Sequence, residues 1–184
     1  MTAMEPTPEF SVEINLESIG GEPCEVNLEA GQNERAALSQ RFGLISVDSL
    51  SAKLSLKWLK PGRILLVSGQ IAADVQQSCV VTLNPIPAKV TEDVEIIFAR
   101  ASEDTADIID PKEVEPLESE TLDLGEMVSA EMLLALDPYP RDLHIDPAAL
   151  KLGPEVSLIN EEEMSSTKKR ANPFEILAEL QPKS

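Results

Sequence analysis

Residues 50–59 read Leu50-Ser51-Ala52-Lys53-Leu54-Ser55-Leu56-Lys57-Trp58-Leu59, and within them Leu54, Leu56 and Trp58 alternate with Lys53, Ser55 and Lys57. Neighbouring strand side chains point to opposite faces, so this spacing predicts a strand with one dry face and one basic face. Lys60-Pro61-Gly62-Arg63 follows as a turn: proline presets φ at the first central position and glycine accepts a positive φ at the second. Ile64-Leu65-Leu66-Val67 then returns. Gly69 separates it from Gln70-Ile71-Ala72-Ala73-Asp74-Val75, which predicts a bulge or bend. Gln77-Ser78-Cys79-Val80-Val81-Thr82-Leu83 and residues 88–98 continue the series, with Pro85 and Pro87 between them. The whole stretch 50–98 therefore predicts one continuous antiparallel unit.

On the N-terminal side, Phe10, Val12, Ile14 and Leu16 alternate with Glu9, Ser11, Glu13 and Asn15, the pattern of a strand. A shorter strand is expected over 24–28, after the break Gly20-Gly21-Glu22-Pro23. Asn33 is placed to cap a helix over 34–42 that Gly43 ends. On the C-terminal side, Ser119-Glu120-Thr121-Leu122-Asp123-Leu124 predicts a brief strand. Leu124, Val128, Met132 and Leu136 recur every four residues and predict a helix over 124–136, stopped by Pro138 and Pro140. The expected fold is α+β: a strongly bent, mostly antiparallel sheet, barrel-like at its limit, covered by these two helices. Residues 1–8 are expected to be a disordered tail, 9–140 one domain with an acidic loop at 101–118, and 141–184 a flexible tail. In that tail Asn172-Pro173-Phe174 opens a short docking helix, 173–181, with Phe174, Leu177 and Leu180 on one face. So short a helix is marginal alone, since roughly 12–15 residues are needed in water.

The chain has 184 residues, of which 42% are hydrophobic and 3% aromatic, so its core must be aliphatic. No stretch approaches the roughly 20 apolar residues of a membrane helix, and the N-terminus lacks the basic-then-apolar pattern of a secretory signal. Cys24 and Cys79 make no disulfide framework; with both reduced, the expected compartment is the cytoplasm. The formal net charge of −18 argues against broad electrostatic capture of nucleic acid. Its distribution is uneven. Residues 35–63 hold Arg35, Arg41, Lys53, Lys57, Lys60 and Arg63 against Asp48 alone, whereas residues 92–131 hold fourteen carboxylates against Arg100 and Lys112.

The residues that could carry bond-making chemistry do not assemble a pattern. His144 is the single histidine and has no Gly-x-Ser-x-Gly elbow to serve. Cys79, expected in mid-strand, has no neighbouring base to ionise it. Two cysteines and one distant histidine fall short of the four ligands of structural zinc. No glycine-rich phosphate loop is present. The protein is therefore expected not to be an enzyme, with no metal, no cofactor, no membrane contact and no small-molecule substrate.

Two charged surfaces remain. Lys53, Lys57, Lys60 and Arg63 form a basic edge, either an ordinary solvated sheet face or a salt-sensitive footprint for RNA phosphates. Glu103, Asp104, Asp107, Asp110, Glu113 and Glu115 form an acidic loop, either a solubilising segment or a clasp for a basic protein.

In the succession of its parts the chain resembles the YceD family, the large ribosomal RNA subunit accumulation proteins, most closely the form found in alphaproteobacteria. The likeness rests on the 69–98 segment with Gln77-Ser78-Cys79-Val80-Val81-Thr82-Leu83, on the 122–136 helix with Pro138 and Pro140, and on Asn172-Pro173-Phe174 with Leu177 and Leu180. It covers roughly residues 10–181. Cys79 matches the first of two cysteines, separated by two residues, that the family often shows; Thr82 stands at the second, so no metal or redox role is carried over. The resemblance implies a non-enzymatic factor needed for normal levels of large-subunit ribosomal RNA. It also implies a gene neighbour encoding a small basic large-subunit ribosomal protein. The expected partner is ribosomal RNA or a pre-ribosomal large subunit, met through the basic edge. The alternative is an acidic adaptor or chaperone for a basic ribosomal protein, without RNA contact.

Overall fold

A computed structural model describes residues 8–100 and 114–142. Three fifteen-residue strands dominate it: β3 (Ser46–Lys60), β4 (Ile64–Ser78) and β5 (Pro85–Ala99). They join β2 (Cys24–Glu29) and β6 (Val114–Pro116) in a five-stranded sheet of order β2-β3-β4-β5-β6. Every pairing is antiparallel except the short parallel one between β5 and β6. A second, two-stranded ribbon pairs β1 (Glu13–Asn15) with β7 (Thr121–Asp123). Two helices, α1 (Gln32–Phe42) and α2 (Leu124–Leu134), complete the fold.

The alternation of residues 53–58 does what its period demands. Leu54 and Leu56 are fully buried, Trp58 is half-buried, and Lys53 and Lys57 are exposed. The facing strand matches it, with Leu65, Val67, Ile71 and Val75 buried on the same side. Each such aliphatic side chain contributes about 1.5–3 kcal/mol on burial. α1 packs on β3, and α2 packs on β4, β5 and β1, so both helices and the small ribbon cover one side of the sheet. Leu38 of α1 and Leu124, Val128 and Met132 of α2 enter that core fully buried.

Several sequence expectations need correction. The sheet is open, not a barrel: β2 and β6 lie at opposite ends of the strand order and do not pair. Gly69 makes no bulge, since β4 runs through it in unbroken register opposite Leu54. A Cβ there would stand 2.1 Å from the Lys53 carbonyl oxygen, so glycine is required by the close approach of the neighbouring strand. The register shifts fall instead between Val47 and Ser49 and between Trp58 and Lys60 of β3. Residues 79–83 are not a strand. β4 ends at Ser78, and Cys79 opens the loop to β5. Asn33 does not cap α1. Glu34 reaches back to accept from the Gly31 N–H, which starts the helix earlier and makes Gly31 the cap. The first strand is also shorter than expected, because only Glu13–Asn15 finds a partner.

The Lys60–Arg63 turn forms as expected, with Gly62 at φ 67° and the Arg63 N–H donating to the Lys60 carbonyl at 3.0 Å. No helix among the described residues is long and apolar enough to cross a membrane. Residues 101–113 of the expected acidic loop, His144 and the expected helix 173–181 with Phe174, Leu177 and Leu180 lie outside the described residues.

Candidate functional site

Directly paired residues of antiparallel strands share a face, so the registers fix the composition of the sheet's uncovered side. One row runs Asn27, Lys53, Gln70, Asp93; the next runs Glu25, Ser55, Ser68, Glu95. Lys53 and Lys57 thus flank a row that ends in two glutamates. Gln70 ties the Lys53 row to Asp93 with a 2.9 Å hydrogen bond. Farther along, Lys89 pairs with Asp74 at 2.8 Å. The basic edge expected from sequence is therefore a mixed-charge face. The row of Lys57, Leu66 and Ile97, next to the turn with Lys60 and Arg63, carries no carboxylate. Lys53 stands about 13 Å from Lys57 along the strand, at about 3.3 Å per residue.

Other cations of the 35–63 segment are engaged elsewhere. Arg41 makes two bonds to Glu126, at 2.6 and 2.7 Å, and one to Glu9 at 2.9 Å, clamping α1 to α2. Arg35 donates to the Ala30 carbonyl. Of the acidic loop, Glu115 lies exposed on β6; Glu103, Asp104, Asp107, Asp110 and Glu113 lie outside the described residues.

The opposite end of the sheet presents a different chemistry. The loop from Cys79 to Asn84 is closed by its own backbone: the Cys79 N–H donates to the Asn84 carbonyl and the Leu83 N–H to the Cys79 carbonyl, both at 2.9 Å. The Val80 N–H donates to the Pro140 carbonyl at 2.9 Å, fastening the loop to the segment after α2. Leu83 takes the left-handed conformation, φ 62°, and points its side chain into solvent, 76% exposed. Non-glycine residues adopt that conformation only where the surroundings enforce it. Val80 and Val81 are exposed beside it. Leu134 at the end of α2 is 77% exposed and Tyr139 is 70% exposed. An open groove of about 520 Å³ runs between Phe42, Leu44, Val80, Leu133, Leu134 and Pro140. Eight large apolar side chains stand exposed among the described residues; six of them, all but Leu59 and Leu83, line this groove or adjoin its lining residues in sequence, and Leu83 belongs to the same loop as Val80.

Cys79 lies at the root of that loop, buried. Hydrogen bonding from Thr82, and then from the backbone N–H of Asp142, brings its thiol down to about 7 against the opposing effect of burial. The Thr82 N–H donates to its Sγ at 3.5 Å. Among the described residues no group of three or more histidines, cysteines and carboxylates could hold a metal ion.

Sequence reasoning missed Asp123 as a cap, although Asp123 followed three residues later by Glu126 is the capping signature. Its Oδ1 accepts from the N–H groups of Val12, Gly125 and Glu126 at 3.0, 2.9 and 3.1 Å, and its Oδ2 from Ser11 Oγ at 2.6 Å. It also missed the display of Val80, Val81 and Leu83. An apolar run ending near prolines has the same pattern as a buried strand, and only the left-handed turn at Leu83 distinguishes the two.

No curated protein and no solved structure matches the chain. The family model described as large ribosomal RNA subunit accumulation protein YceD matches residues 67–181, a span that holds β5, α2 and the whole apolar loop. That span exceeds half of the chain, and the chain belongs to the YceD family.

Proposed function

We propose that this protein supports the accumulation of large-subunit ribosomal RNA as a non-enzymatic, cytoplasmic factor that holds a basic protein component of the large subunit or its precursor. The family name supplies the link to the large subunit and its RNA. The observation that favours a protein partner is the Cys79–Asn84 loop, which spends a left-handed leucine to display apolar side chains within the family-matched span. Exposed apolar clusters of this kind mark protein contacts; RNA phosphates gain nothing from them. The net charge of −18, to which Glu103, Asp104, Asp107, Asp110, Glu113 and Glu115 contribute, favours fast encounter with a basic protein.

A second reading, direct contact with ribosomal RNA through Lys53, Lys57, Lys60 and Arg63, draws on the carboxylate-free row at the turn. Affinity capture from nuclease-treated cell extract separates the two. A basic large-subunit protein retained after nuclease, and lost with Leu83→Asp/Leu134→Asp, is the expected result; both positions are exposed, so the variant keeps its fold. Loss of every partner on nuclease treatment, or on reversing the four basic charges alone, would establish the RNA reading instead.

A further inference from the structure

Beyond the apolar groove, the hairpin end of the sheet carries a second depression, of about 340 Å³, in which β3, the turn and the segment after β1 meet. Its wall includes Trp58, half-buried and the one tryptophan of the chain. Glu17 and Glu120 stand at the same depression, both exposed. Gly20 and Gly21 form another part of the wall, and a Cβ on either would meet nothing within 4 Å, so this side is open. Arg100 also lines it, but two bonds of 2.9 Å commit its guanidinium to Glu120. The Glu17 side chain has no ion-pair partner among the described residues. The depression is thus lined by an aromatic side chain and two carboxylates against one neutralised cation.

We infer that this depression receives an arginine or lysine side chain of the protein partner, its cationic head over the Trp58 ring and held by Glu17 with Glu120. Tryptophan is the best aromatic partner for a cation. Arg100 keeps Glu120 ionised, holding its carboxyl below the usual glutamate range. The stem of a long basic side chain suits the apolar wall while its head remains near water. An unpaired nucleobase could stack on the same ring, yet its phosphates would face two carboxylates, one of them unpaired. The observations therefore favour the basic side chain. This inference rests on the protein-partner reading above and narrows it to a residue class.

Because Trp58 is the sole tryptophan, its emission reports on this site and is blind to peptide bound elsewhere on an acidic protein. The full-length protein is titrated with end-blocked Gly-Gly-Arg-Gly-Gly, with the same peptide bearing neutral citrulline for arginine, and with hexauridylate. The expected result is saturable quenching by the arginine peptide only, weakened roughly fivefold by Glu17→Gln, the effect of losing one ion pair of about 1 kcal/mol. Glu17 is exposed on a short turn, so that variant retains its fold, checked by circular dichroism. Saturation by hexauridylate without the arginine peptide overturns the inference in favour of a nucleotide site. No saturation, equal saturation by citrulline, or indifference to Glu17→Gln overturns it outright. Failure here with nuclease-resistant capture intact removes the pocket alone, whereas loss of that capture with peptide binding intact removes the protein-partner reading.

Discussion

At Asp123 one carboxylate closes the first turn of α2 and ties it to Ser11 and Val12 in the segment leading into β1. Burial pushes its pKa up, but hydrogen bonds from Ser11 and from the N–H groups of Glu126, Val12 and Gly125 outweigh that and hold it below the usual aspartate value. A carboxyl whose folded pKa is depressed adds stability above its unfolded pKa and loses it as pH falls through the folded value. Asp123→Ala should therefore cost about 2 kcal/mol at neutral pH, the upper end for a helix cap, as read by urea denaturation. Repeated at a pH below its lowered folded value, where the wild-type carboxyl also takes up a proton, the difference should shrink. A pH-independent difference would assign the loss to packing.

Among the elements, β4 is the one most sensitive to a single atom. Gly69→Ala places a methyl 2.1 Å from the Lys53 carbonyl oxygen and 2.9 Å from Leu54 Cα, both backbone atoms that cannot turn aside. We expect at least about 2 kcal/mol of destabilisation, at the level of overpacking in a core, measured as a lowered urea midpoint; a change below about 0.5 kcal/mol, within the ordinary surface range, would show that β3 and β4 can separate there. This position also shows where sequence reading ends. The alternation of residues 53–58 and the four-residue recurrence of Leu124, Val128, Met132 and Leu136 place β3 and α2, because burial acts on every residue of such a period. A glycine within a strand carries no period. Bulge, bend and close approach look alike until the neighbouring strand is known, and the sequence reading of Gly69 offers only the first two. For the same reason Cys79 reads as mid-strand, although it begins a loop.

For the molecule as a whole, a net charge of −18 on 184 residues means strong self-repulsion. The ion pairs Arg41–Glu126, Lys89–Asp74 and Arg100–Glu120 offset only part of it. Raising ionic strength from about 0.02 M to about 0.3 M, which shortens the screening length several-fold, should raise the urea midpoint by roughly 0.3 M; a fall would mean that the pairs outweigh the repulsion. The excess charge was legible from composition, but its arrangement on the sheet was not, because only strand register sets Glu25 and Glu95 beside the lysines. Register has a further consequence through the β1–β7 ribbon, in which Glu13 meets Asp123. During synthesis β1 has to wait for a partner about a hundred residues later, and α2 follows directly upon that partner. Closing so distant a pair is slow. Throughout that delay the part of the leucine-rich side that α2 covers in the finished fold, over β4 and β5, stands bare to solvent.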